Sequence, residues 1–340
     1  MLRRGFILSA AALFAGACSA EAPKEVIVKA DAPDGPPGGR PNPSALFEHT
    51  NRTVPTGREF GWAVIDLKTG GLAGQNPDQP YPQHSVFKLW LAAMVLDRVD
   101  RGEMKLDERI LVTRADLGFP YQPIAEKVGP QGYSATAEEL VRYIVIQSDN
   151  PSADVLLRRV GGPAALTAWL RSKGVEDIQV DRSERELHAE AAEMRRRVAA
   201  APAEGRLSVI HGYLFGGRDA ATPAAAATAL AKLHRGELLS PASTRMLLSI
   251  MTETVTGPNR LRAGIEPGWK IGHKTGSGGM IDGRSKGSND IGLLTAPDGR
   301  TYAVAVFTAG DDLTPEKREA IAADVARGVV AQWKKETGAG

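Results

Sequence analysis

Ser85-Val86-Phe87-Lys88 sets a hydroxyl and an ammonium three residues apart at the head of an apolar run, Val86 to Val99. A serine hydroxyl is a weak nucleophile near neutral pH and needs a base within hydrogen-bond reach. If the run is a helix, residues three apart share a face, so Lys88 lies beside Ser85. The N-terminus of that helix also favours negative charge developing there. Alone, the pair is weak evidence, because chance produces it in many chains of this length. Its setting strengthens it: His84-Ser85 joins the turn-rich stretch NPDQPYPQHS to the apolar run, a junction that exposes a hydroxyl over a buried scaffold.

Two polar motifs follow downstream. Ser148-Asp149-Asn150 breaks the helical run Glu138 to Leu157 ahead of Pro151. By itself it reads as a helix cap, for which Ser, Asp and Asn are preferred; in company it offers Ser148 for a proton relay and Asn150 for a substrate amide. Lys274-Thr275-Gly276-Ser277-Gly278 follows Trp269 to His273 and reads as a strand edge opening on a cleft. Its glycines mark close backbone approach to a ligand, and the rival reading is a plain β-turn with a solvated lysine.

The elements that must position these groups come from both ends of the chain. Glu59 to Leu67 reads as a strand closed by Lys68-Thr69-Gly70-Gly71, and Asp290 to Ala296 and Thr301 to Thr308 read as a hairpin joined by Pro297-Asp298-Gly299. A helix from Thr314 as cap and Pro315 in its first turn brings Ile321, Val325, Val329 and Trp333 to one face. Ser44 to Thr50, Ala137 to Ile146, Ala153 to Val160, Pro163 to Lys173, Pro223 to His234 and Pro241 to Met251 are further helical segments. The expected fold class is α/β (α+β): an antiparallel sheet from both chain ends flanked by helices, with an inserted helical lobe. The sheet part covers about 45–84 and 252–336 and the lobe about 85–251, with a cleft between them.

Of 340 residues, 42% are hydrophobic and 24% charged, the balance of an ordinary globular chain with a sizeable core. Net charge is +2, and no dense basic run with interleaved aromatics occurs, which argues against nucleic acid and for a small-molecule partner. The six histidines are scattered without metal-ligand spacing, so neither metal nor cofactor is expected. Arg3-Arg4, the apolar stretch Phe6 to Phe14 and Ala15-Gly16-Ala17 read as a signal peptide over residues 1–20, with an uncleaved anchor as the weaker alternative. Arg3-Arg4-Gly5-Phe6 in part resembles a twin-arginine signal. Residues 21–44 form a Pro/Gly-rich tether.

The three motifs, in this order, resemble those of the penicillin-recognising serine enzymes, and most closely of the class A β-lactamases. The resemblance runs from about 45 to 335 and includes Asn289-Asp290-Ile291 and the segment Thr256 to Gly264. It implies hydrolysis of β-lactam antibiotics, hence resistance, through an ester on Ser85, with Lys88, or Glu184 through a water, taking the serine proton. It further implies an oxyanion hole at the backbone N–H groups of Ser85 and Ser277. Ser148 would relay a proton beside Lys274, and Lys274, Thr275, Ser277 and Arg260 would cradle the substrate carboxylate. Asn150 would meet the substrate amide, and Tyr121 would form the cleft wall.

The segment Asp181 to Leu187 resembles the loop that carries the deacylating carboxylate, at Glu184; Arg182 and Asp219 match the pair that clasps its ends. The chain departs from the family pattern at Arg185, at His188 and at Asp154; the last two brace the loop and resemble a subgroup that includes extended-spectrum enzymes. About twenty extra residues, near 195–217, lengthen the loop. His84 and Gly278 stand where some carbapenemases carry a disulfide. Cys18, the only cysteine, sits where a bacterial lipoprotein is lipidated; a lipid anchor and removal with the leader are both open. The expected product is a monomeric enzyme exported to the periplasm of a Gram-negative bacterium. The rivals are a D-Ala-D-Ala carboxypeptidase or transpeptidase, which lacks the Glu184 step, and a non-catalytic exported lipoprotein that binds cell-wall peptides.

Overall fold

Apolar stretches near the two chain ends meet in one five-stranded sheet. A computed structural model describes residues 44–339; the signal peptide at 1–20, Cys18 and the tether up to residue 43 lie outside the described residues. The strands are β1 (Phe60–Asp66), β2 (Leu72–Gln75), β3 (Lys270–Ser277), β4 (Ser288–Thr295) and β5 (Thr301–Thr308). Their order is β2-β1-β5-β4-β3, with every neighbour antiparallel. The register pairs Trp62 with Val306 and Ile291 with Lys274. β1 and β5 are buried along their whole length because helices cover both faces, which is why they read as continuous apolar runs and not as alternation. The β4–β5 turn is Pro297-Asp298-Gly299 as expected, with Gly299 at φ +87°, a conformation L-residues avoid.

The helices are α1 (Ser44–Thr53), α2 (Phe87–Asp100), α3 (Ala137–Ile146), α4 (Asn150–Arg159), α5 (Pro163–Ser172), α6 (Glu184–Ala200), α7 (Arg206–Leu214), α8 (Pro223–His234), α9 (Pro241–Thr252) and α10 (Pro315–Thr337). α1 and α10 cover one face of the sheet, where Leu46, Trp62, Val304, Ile321, Val325 and Trp333 form one core. Thr314 caps α10 by accepting from Lys317 N at 3.4 Å, and Pro315 opens it. The other face packs on α8 and through it on the helical lobe. α2 lies at the centre of that lobe, in contact with α3, α4, α5 and α9; its residues from Phe87 to Asp97 are all buried. A helix apolar all round needs such a jacket.

Two features were absent from the sequence reading. Arg109–Val112 pairs with Tyr133–Thr136 as a short ribbon, and the extra residues near 195–217 are helical: they extend α6 to Ala200, turn through Pro202 and form α7. Met194, Val198, Ile210 and Leu214 are buried in this hairpin, so the added chain is held by its own apolar face. Among the described residues no helix is long and apolar enough to cross a membrane.

Candidate active site

Ser85 lies in a 3-10 turn, His84–Val86, immediately before α2. The turn is fixed from several sides. Asn289 Nδ2 donates to the carbonyls of Pro82 (2.8 Å) and Gln83 (3.1 Å), and Gln83 Nε2 donates to those of Gln179 (2.8 Å) and Ala220 (3.2 Å). His84 Nε2 donates to Lys286 O at 2.7 Å. Burial pushes the His84 imidazole down to about 4, against the opposing pull of that bond, so the ring is neutral near pH 7. The glycines of β3 and beyond have a different use from the one expected. A Cβ on Gly276 would come within 2.4 Å of Gln83 O, and one on Gly278 within 2.4 Å of the His84 ring. These glycines therefore admit the nucleophile turn itself.

Lys88 is fully buried and its Nζ lies 3.0 Å from Ser85 Oγ, the face-sharing that helical spacing predicts. It also donates to Ser148 O at 2.8 Å and to Asn150 Oδ1, and pairs with Glu184 Oε1 at 2.8 Å. Glu184 Oε1 is 3.4 Å from Ser85 Oγ. Burial alone would raise the Glu184 carboxyl; the charge and hydrogen bond of Lys88 outweigh it and hold the group below its ordinary value.

Glu184 is the first residue of α6, and three features pin it. Ser183 caps the helix in a reciprocal box with Glu186. Asp154, buried on α4, accepts from the backbone N–H of Glu184 (2.7 Å) and of Arg185 (3.1 Å). Asp219 clasps the loop: Oδ1 accepts from Asp181 N (2.8 Å) and Arg182 N (3.0 Å), and Oδ2 pairs with Arg182 Nε at 2.5 Å. His188, one turn along α6, brings Nε2 to 3.8 Å from Glu184 Oε2 and to 3.3 Å from Asn150 Nδ2.

Ser148-Asp149-Asn150 divides between the two readings the sequence left open. Asp149 is the cap, accepting from Ser152 N at 2.7 Å and from Ile124 N at 2.8 Å. Ser148 and Asn150 turn inward. Lys274 Nζ donates to Ser148 Oγ at 2.9 Å; burial, reinforced by the like charge of Lys88, holds the Lys274 ammonium well below its ordinary value.

Arg260 is not a surface residue. It is buried under the end of β3, donating to Ser277 Oγ (2.7 Å), Gly276 O (3.2 Å) and Asn289 O (2.8 Å), and pairs with Glu319 at 3.2 Å. Thr275 Oγ1 lies 2.6 Å from Thr256 Oγ1, and Ser277 is exposed. Tyr121 is 58% exposed at the mouth. Ser85, Glu184, Asn150, Ser277 and Tyr121 line one cavity of about 650 Å³, with Lys88 and Lys274 buried and hydrogen-bonded to Ser85 and Ser148 of its wall. His84, Tyr121, Ser148 and Asp219, four of the six non-glycine residues at positive φ among the described residues, all border it, and such backbone strain gathers at functional sites. Sequence reasoning assigned no site role to Lys286, Arg195 and Tyr213, which also line it; they come from segments without a motif.

A sequence profile described as "Beta-lactamase enzyme family" matches residues 49–333. The Extended-spectrum beta-lactamase PER-1 of Pseudomonas aeruginosa is 33% identical over 74% of this chain and 75% of its own length. Beta-lactamase VEB-1 of the same organism is 30% identical over 79% and 83%. Among solved structures, a beta-lactamase from Chitinophaga pinensis aligns with TM-score 0.72 at 32% identity over 86% of this chain and 98% of its own. An ancestral class A beta-lactamase aligns with TM-score 0.68 at 37% identity, over 84% and 98%. These relatives do not favour the transpeptidase alternative. With a profile match over most of its length and a serine, a lysine and a glutamate converging on one cavity, the chain belongs to the beta-lactamase enzyme family, in its class A serine branch.

Proposed function

We propose that this class A β-lactamase opens the lactam amide by acyl transfer to Ser85 and clears the ester with a water activated by Glu184. The observation that carries this route is the placement of Glu184 Oε1, 2.8 Å from Lys88 Nζ and 3.4 Å from Ser85 Oγ. An ammonium has three donors and no acceptor, and Lys88 has four acceptors within reach, Ser85 Oγ, Glu184 Oε1, Ser148 O and Asn150 Oδ1, so it has no free electron pair for the Ser85 proton. Glu184 therefore accepts the Ser85 proton, directly or through one water, while Lys88 keeps the carboxylate ionised.

Ser85 Oγ bonds to the lactam carbonyl carbon, whose oxygen is met by the backbone N–H groups of Ser85 and Ser277. One such donor is worth roughly 3–4 kcal/mol in the transition state. The C–N bond breaks as Ser148 gives its proton to the leaving nitrogen; the proton taken up by Glu184 passes by way of Lys88 to replace it, so Glu184 is ionised again and Lys274 keeps its ammonium beside Ser148. Glu184 next takes a proton from water, whose oxygen bonds to the ester carbon; the ester C–O bond breaks and Ser85 regains its proton. Arg260, Thr275 and Ser277 hold the substrate carboxylate, Asn150 its side-chain amide, and Tyr121 forms the wall.

Broad cephalosporin turnover is part of the proposal, supported by the joint presence of His188 and Asp154 in the sequence and by the extended-spectrum relative. Hydrolysis rates for a penicillin, an oxyimino-cephalosporin and a carbapenem on the purified protein test it. Turnover of the penicillin and the cephalosporin is expected. Hydrolysis of the penicillin alone would remove the broad range, and hydrolysis of none would remove the function.

The leader at 1–20 directs a monomeric enzyme to the periplasm in this reading, supported by its basic, apolar and small-residue order. The mass of the mature chain from fractionated cells is expected to lack the leader, with added lipid mass if Cys18 is its first residue. An intact Met1 in the cytosolic fraction would overturn export.

A further inference from the structure

The cavity has a second cationic pole that the acyl-transfer steps leave unused. Arg195 lies about three turns beyond Glu184 on α6, and with Glu184 and His188 it falls at helical spacing on the stripe that borders the cavity. Lys286, between the Arg284–Ser285 strand and β4, lines the same cavity. Its backbone is fixed: its N–H donates to Gly279 O at 2.9 Å and its carbonyl accepts from His84, while its side chain lines the cavity.

Neither cation is neutralised. Among the described residues, the Arg195 guanidinium and the Lys286 ammonium make no ion pair or hydrogen bond. The third cation on this wall, Arg218, is occupied by Glu190 at 3.1 Å. Arg182 is taken by Asp219, and Arg260, paired with Glu319 through Nε and bonded to Ser277, belongs to the carboxylate cradle. Burial first, and then the charge of Arg195, lower the Lys286 ammonium, and both cations act on His188 in the same sense. Arg195 is exposed and Lys286 half-buried, and two like charges on one cavity attract an anion more strongly than either does alone. The α7 side of the cavity is lined by Tyr213 and Leu214, so the pole adjoins room for a bulky substituent. The carboxylate cradle at Arg260, Thr275 and Ser277 is a separate group on β3 and its flank.

We propose that Arg195 and Lys286 form a second anion subsite, which receives a carboxylate carried on the acyl side chain of a β-lactam and selects dianionic substrates. This rests on the reading of the cavity as the β-lactam site. The extra residues that extend α6 and build α7 then have a use: they carry Arg195 and the apolar wall beside it.

Benzylpenicillin and its α-carboxy analogue differ only in the second carboxylate, and Arg195→Gln with Lys286→Gln removes both charges with little change of volume. Selectivity for the α-carboxy compound, as the ratio of kcat/KM values, is expected to fall about tenfold in the double variant, through KM, with benzylpenicillin changed less than about twofold. Added salt is expected to shrink the wild-type ratio and leave that of the variant unchanged. Equal changes for the two penicillins, or no change in the ratio, would overturn the subsite. The same ratio is read without turnover from dissociation constants of the Ser85→Ala protein with and without the two Gln changes. If the parent enzyme hydrolyses neither penicillin, the acyl-transfer reading falls, and the binding ratio still decides the subsite.

Discussion

Glu184→Gln leaves a lasting penicilloyl ester on Ser85, with turnover lower by about 10²- to 10⁴-fold, the usual worth of a positioned general base. The amide keeps the volume of the carboxylate and can still accept from Lys88, so the site retains its shape. Lys88, freed of its ion pair and 3.0 Å from Ser85 Oγ, remains to serve acylation. The neighbouring carboxylates are engaged: Asp154 spends both oxygens on the backbone N–H groups of Glu184 and Arg185, and Asp219 its own on Asp181 N and Arg182. Intact-protein mass spectrometry after mixing with benzylpenicillin is expected to show the mass increment persisting for many parent turnover times. Clearance of the ester at the parent rate would remove Glu184 from the second half-reaction.

The groups legible in the sequence are those whose partners lie a helical turn away or within one motif. Ser85 and Lys88 meet through local spacing, and the start of α10 follows from Thr314 as cap with Pro315 in the first turn. Long-range facts were not legible. Whether Ser148 or Asp149 caps α4 depends on Lys274 arriving from β3 to take the Ser148 hydroxyl. That Gly276 and Gly278 serve the nucleophile turn depends on β3 lying against it. The resemblance marked 195–217 as an addition to a loop, but its helical hairpin needed the inward set Met194, Val198, Ile210 and Leu214, whose face shows only when the rest of the fold is present.

The departures from the family pattern converge on the same few ångströms. Asp154 does its bracing through two backbone N–H groups at the start of α6, where a carboxylate also opposes the positive end of the helix. His188 stacks near Phe119, with centroids 5.8 Å apart, and burial lowers its imidazole against the pull of Glu184. A neutral ring leaves the Glu184 carboxylate to Lys88. The loop is thus rebuilt around one requirement, an ionised Glu184 at a fixed distance from Ser85.

Lys88→Met tests that requirement through stability as well as rate. Removing one partner of a buried ion pair costs about 3–5 kcal/mol, and here it leaves Glu184, Ser148 O and Asn150 Oδ1 without their common donor. In the parent, Glu184 is held below its unfolded value, so its contribution is present above the ordinary carboxylate range and is lost as pH falls through the folded value. In the variant, burial is the largest remaining influence, with only the weaker pulls of His188 and His84 against it, and raises the carboxyl; the protonated form is then tolerated at low pH, and stability is lost as pH rises through the raised value. The stability gap between parent and variant should therefore widen from about pH 4 to about pH 7.5, because only the variant loses stability over that range. Urea unfolding at the two pH values measures it, and acylation by benzylpenicillin should fall at least as far as in Glu184→Gln. A gap of equal size at both pH values would mean that Lys88 fills space in the lobe without governing the charge on Glu184.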